Sequence, residues 1–186
     1  MTLPNTTLQN TRTLSPISLT PNRNTALRWY GLAVVVIILD QLSKVYFVNT
    51  LHVEGNTLTV IEPIFNFTLA YNYGAAFSFL ADKGGWQKWI FSGLALMVSL
   101  GIMYMLWKKV PKIATVLSAG LALVMAGALG NLIDRVRLDY VVDFLHVHNG
   151  NVWHFPIFNV ADVAINLGVA LILFDSFFLE KKRHTG

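Results

Sequence analysis

The chain has 186 residues, 54% of them hydrophobic and 13% charged, with a net charge of +4 and a mean hydropathy of +0.53. A soluble domain of this size carries about 25% charged residues, so the composition points to a membrane protein, with one domain the natural expectation at this length. There is no cysteine, which excludes disulfides, thiolate nucleophiles, cysteine-based zinc sites and anchoring through a lipidated cysteine of its own; nor do the basic residues form a continuous patch with aromatics, so nucleic acid is not expected as a partner.

Residues 1–26 are rich in Thr, Asn, Ser and Pro and have no apolar run. They read as a flexible cytoplasmic tail, not a signal peptide, because no hydrophobic stretch precedes a small-residue cleavage site. Residues 27–183 form the expected membrane domain. A bilayer needs about 20 helical residues per crossing, and four apolar segments meet that length, at about 28–48, 86–107, 113–133 and 158–179. Lys and Arg set the orientation. Arg23 and Arg28 precede the first span, Lys108, Lys109 and Lys112 fill the link between spans two and three, and Lys181, Lys182 and Arg183 follow the fourth. In an up-and-down bundle all three clusters share one side, which is then cytoplasmic, with both termini inside. Lys83, Lys88, Arg135 and Arg137 make the opposite side sparser.

The first outer connection, about 49–85, contains "TLTVIEP" and "FNFTLAYN", whose β-branched and aromatic residues predict a small sheet at the periplasmic surface. The second, about 134–157, reads as a periplasmic loop with a turn at Asn149-Gly150 and interfacial aromatics at Trp153 and Phe155. The fold class is thus an α-helical integral membrane protein, a four-transmembrane-helix bundle with a small sheet and a loop outside.

Five acids lie in or beside the spans: Asp40, Asp134, Asp143, Asp162 and Asp175. Ionisable groups at membrane depth are functional candidates. Asp40 is roughly 18 Å above the inner end of span one, and Lys44 follows on the same face, where the two would also simply neutralise each other. Asn131, Asp134 and Arg135 share a face at the outer end of span three, although Asp134 and Arg135 would equally suit a cap at the water interface. Ala126, Gly127, Ala128 and Gly130 before them favour close helix packing. Asp162 lies four residues into span four, with Asn159 three residues earlier on the same face, and Asp143 lies in the loop, shielded by Val142 and Phe144. In "NYGAAF", Gly74, Ala75 and Ala76 permit close backbone approach beside Asn72, although an ordinary turn has the same composition. Asp40, Asn131, Asp134, Asp143 and Asp162 all map to the outer third of the membrane. Asp175 belongs to the inner end beside Lys181 and Lys182. His146, His148 and His154 lack a recognisable ligand spacing, so neither a metal nor another cofactor is expected.

Two carboxylates in a sheltered site share a proton, because desolvation and repulsion raise one pKa. One then activates water and the other donates to a carbonyl oxygen, which suffices for amide hydrolysis without cysteine, serine or metal. Acids within spans also serve proton-coupled transporters, but a relay would continue inward, and no inverted repeat is detectable.

Five pieces, "DQLSK" at 40–44, "NYGAAF" at 72–77, "GALGNLIDR" at 127–135, "VVDF" at 141–144 and "FNVAD" at 158–162, resemble, in order, the motifs of bacterial lipoprotein signal peptidases (signal peptidase II). The family's paired glycine before "ALGN" is Ala126-Gly127 here. The resemblance implies an aspartic endopeptidase of the inner membrane, with its site near the periplasmic face; a monomer is expected. It implies cleavage of prolipoproteins before a diacylglyceryl-modified cysteine and inhibition by globomycin-type peptides, with membrane lipid as the other partner. It assigns Asp143 and Asp162 as the catalytic dyad. Asn72, Asn131 and Arg135 would contact the substrate backbone, while Asp40, Lys44 and Asp134 would support the site, with Gly74 and Asn159 beside it.

Overall fold

The computed structural model describes residues 23–74, 86–109, 114–150 and 152–180. Four long helices form in the four apolar segments: α1 (Arg23–Leu51), α2 (Trp86–Lys109), α3 (Thr115–Leu138) and α4 (Val160–Phe174), the last continued by a π-helical turn, Asp175–Leu179. All four are long and apolar enough to cross a membrane. α1 and α3 are longer than their apolar runs predict. The first four residues of α1 were expected in the tail, the rest of which lies outside the described residues. α3 runs on to Leu138, so Asp134 and Arg135 are helical residues facing neighbours inside the protein.

α3 is the central helix and packs against α1, α2 and α4. On one side Ala33, Ile102, Leu106, Leu121, Ala122, Met125 and Ala126 close a core among α1, α2 and α3. On the other side small residues replace side-chain interdigitation. A Cβ at Gly127 would stand 2.2 Å from the Ala161 carbonyl oxygen, and one at Gly168 would stand 2.6 Å from the Gly120 carbonyl oxygen. The α3 and α4 backbones therefore touch, as small-residue interfaces allow in lipid.

The outer connections build one antiparallel sheet in the order β1 (Thr57–Ile61), β2 (Phe65–Asn72), β3 (Val141–Asn149), β4 (Trp153–His154). The expected sheet is present, but the expected second loop is a strand. β3 pairs along β2 from Phe65↔Val147 to Asn72↔Val141, with an irregularity between Phe67 and Ala70. The loop expected over about 134–157 is therefore corrected: its middle is hydrogen-bonded into the sheet. The sheet rests on the outer end of α1 through Phe47, Leu51, Leu69, Val142 and Phe144. Phe47 stacks on Phe144 with ring centroids 4.4 Å apart. Burying each such aromatic contributes about 1.5–3 kcal/mol, which fixes β3, and hence Asp143, relative to the bundle.

Candidate active site

The site grows from the N-terminus of α4. Four amides there have no intrahelical partner. Asn159 is the N-cap, with extended backbone (φ −135°), and its Oδ1 accepts from the Asp162 amide at 2.9 Å. In return the Asn159 amide donates to Asp162 Oδ2 at 3.2 Å, closing a reciprocal capping box. Asn159 and Asp162 thus do not share a helix face, as their spacing predicted; they embrace across the helix start. The Ala161 amide donates to Asp40 Oδ1 at 2.9 Å, so α1 supplies a second cap from across the bundle.

Asp162 Oδ1 accepts from Asn131 Nδ2 of α3 at 2.8 Å. Asn159 Nδ2 donates to Asp143 Oδ1 at 2.6 Å and lies 3.1 Å from Asn131 Oδ1 and 3.3 Å from the Val142 carbonyl. One asparagine therefore holds both carboxylates, Asp143 by its side chain and Asp162 by its backbone. The other oxygen of Asp143, Oδ2, accepts from Asn72 Nδ2 at 3.2 Å. Asn72 in turn accepts from the Gly74 amide at 2.9 Å. Gly74 has φ +99°, a conformation that favours glycine. Ala75 and Ala76 lie outside the described residues.

Beneath the carboxylates is a buried ionic network. The three protons of Lys44 Nζ meet three acceptors: Asp40 Oδ2 and Asp134 Oδ2, each at 2.9 Å, and Asn131 Oδ1 at 3.1 Å. Lys44 is 3% exposed and Asp134 3%, so Asp134 is no interfacial cap. Its Oδ2 also receives the Val142 amide at 3.1 Å, which ties β3 to α3. Sequence reasoning passed over Gln41, inside the "DQLSK" motif. Its Nε2 lies 3.0 Å from Asp134 Oδ1, 3.1 Å from Asp40 Oδ2 and 3.2 Å from the Gly130 carbonyl. The Asn131 amide is engaged at both ends, whereas among the described residues Arg135 makes one long hydrogen bond, Nη1 to its own turn's Asn131 carbonyl at 3.5 Å, with its guanidinium 5.5 Å from the Phe91 ring.

The two carboxylates look into different spaces. Asp143, with Asn72 and Tyr73, lines a cavity of about 370 Å³ on the sheet side. Asp162, with Asn131 and Arg135, lines another of about 370 Å³, otherwise apolar, between α2, α3 and α4. Asp143, outside the spans, is pushed up to about 7, chiefly by burial and then by the charge of Asp162; hydrogen bonds from Asn72 and Asn159 oppose the rise. Asp175 is buried apart, at the opening of the π-helical turn. The three histidines form a separate stack on β3 and β4, joined by a 3.1 Å bond between His146 Nε2 and His154 Nδ1.

A membrane-spanning bundle closed around paired carboxylates held by asparagine amides has the build of a membrane enzyme. A solved structure described as a bacterial membrane enzyme matches with a TM-score of 0.70 and 30% identity, covering 89% of this chain and 94% of that one. The family model for signal peptidase II matches residues 32–178. The chain is 50% identical over 156 residues to the lipoprotein signal peptidase of Acinetobacter baylyi, covering 83% of this chain and 84% of the relative. It is 48% identical over 155 residues to that of Pseudomonas aeruginosa, covering 83% and 90%. The chain belongs to the signal peptidase II family of peptidases.

Proposed function

We propose that this peptidase is of the aspartic type and acts in the bacterial inner membrane as a monomer with both termini in the cytoplasm. It removes the signal peptide from prolipoproteins by cutting before a cysteine that already carries diacylglycerol. The observation that carries the reading is Asn159, whose side chain donates to Asp143 while its backbone donates to Asp162. Two carboxylates from different elements are thereby tied to one asparagine, which supports a mechanism in which they work as a pair.

In this reading Asp143, whose burial favours the neutral form, donates its proton to the scissile carbonyl oxygen. Asp162, whose oxygens accept from Asn131 and Asn159, is the ionised partner that takes a proton from the attacking water; it then passes that proton to the leaving nitrogen as the C–N bond breaks, while Asp143 recovers its proton from the gem-diol hydroxyl. The proton count belongs to the pair jointly. Among the described residues Arg135 and Asn72 have donor capacity left to hold the substrate backbone on either side. Asp40, Lys44, Asp134 and Gln41 hold the walls in place. The sheet cradles the extended cleavage segment, and the acyl chains and signal helix lie among the spans. Globomycin-type peptides would occupy the same place as a blocked substrate.

The test is gel-shift processing of a lipidated prolipoprotein by the purified protein in detergent. The wild type cleaves and globomycin stops it, while Asp143→Asn and Asp162→Asn each lose cleavage by a factor of about 10³ or more. Normal processing by either variant sinks the dyad. Proton flux into liposomes without proteolysis would favour a transporter instead.

A further inference from the structure

A third cavity, of about 210 Å³, lies between the outer halves of α1 and α3 and shares Lys44 and Asp134 with the ionic network. Gln41, Lys44 and Asp134 form its floor, Val45, Val48, Leu138 and Val142 its apolar walls, and Asn49 and Arg137 belong to its rim. The groove is open on one side rather than sealed, and its apolar walls can receive part of a hydrocarbon chain.

We propose that this groove binds one anionic glycerophospholipid, its phosphate on Arg137 and Asn49 and an acyl chain between Val45, Val48 and Leu138. Arg137 and Asn49 stand within two residues of the ends of α3 and α1, which is headgroup depth for spanning helices. Arg137 is exposed and takes part in no hydrogen bond or ion pair among the described residues. An unpaired cation beside an apolar slot complements a phosphate ester with a hydrocarbon tail. From Val45 to Asn49 the apolar part of the groove follows roughly 6 Å of helix, which takes the first few methylenes of a chain entering at the rim. The peptidase reading is not needed for this site, and its failure would leave the lipid site standing.

The full-length protein is placed in phosphatidylcholine nanodiscs with a graded fraction of dioleoyl phosphatidylglycerol and released for native mass spectrometry. The wild type retains a single phosphatidylglycerol. Arg137→Gln lowers that retention about tenfold, and Val48→Trp, which fills the slot, abolishes it. Arg28→Gln, at the other end of α1, leaves it unchanged. In parallel, phosphatidylglycerol raises the Tm of the wild type but not that of Arg137→Gln. Equal adducts in wild type and Arg137→Gln, or equal loss in Arg28→Gln, overturns the site. So does displacement of the adduct by millimolar inorganic phosphate, because the slot would then contribute nothing.

Discussion

Lys44 decides the polarity of the whole site. It is one cation against two buried carboxylates, Asp40 and Asp134, and removing one member of a buried ion group is far more costly than never having it. Lys44→Met should destabilise the protein by about 3–5 kcal/mol, read by thermal or chaotrope denaturation in detergent. Adding Asp40→Asn and Asp134→Asn to it should recover part of the loss, because no buried charge is then left alone. Asp143 gives a pH signature. Its folded pKa, about 7, lies above the unfolded value of about 3.9. Its contribution is therefore fully present below about pH 4 and is lost as pH rises through about 7, by at most about 1.4 kcal/mol per pH unit. Wild-type melting temperature should fall more between pH 5 and pH 8 than that of Asp143→Asn, which has no proton to lose. Parallel curves would mean that Asp143 titrates normally.

At the scale of elements, the contact of α3 with α4 sets the distance between their polar residues. Gly127→Ala would drive a methyl group into the Ala161 carbonyl and Ile165, one turn from Asn131 on one side and beside Asp162 on the other. A cost of about 1–3 kcal/mol is expected, with cleavage falling further than stability alone explains. Gly31→Ala, whose new methyl meets nothing within 4 Å, should be neutral or slightly stabilising, and the pair of melting curves checks both. The four spans were legible because lipid demands long apolar helices, and the polar residues of the site stood out against that background. β3 was not legible. Its partner β2 lies about seventy residues upstream, and "VVDFLHVHN" carries no local sign of that pairing. The extension of α3 was hidden because Asp134 and Arg135 look like the end of a span. Asn159 was misread as a helix-face residue although N-x-x-D is a capping signature, and Gln41 was hidden in plain view between two charged motif residues.

At the scale of the molecule, the two carboxylates belong to different bodies, Asp143 to the sheet and Asp162 to the bundle. Asn159, the Val142 amide on Asp134 and the Phe47–Phe144 stack are the fastenings between them. The fastening from Asp40 to the Ala161 amide joins residues 121 positions apart, and it carries a consequence for biosynthesis. A helix made early bears one of the caps for a helix made late. Until residue 161 emerges, Asp40 has Lys44 as a partner within its own helix, which lets α1 rest in lipid without an unpaired charge. The later helix then seats its first turn against a receptor that was made before it. An unfinished chain has no Asn159 to hold Asp143 and no Ala161 amide to meet Asp40, so the contacts that join the sheet, α1 and α4 all form late.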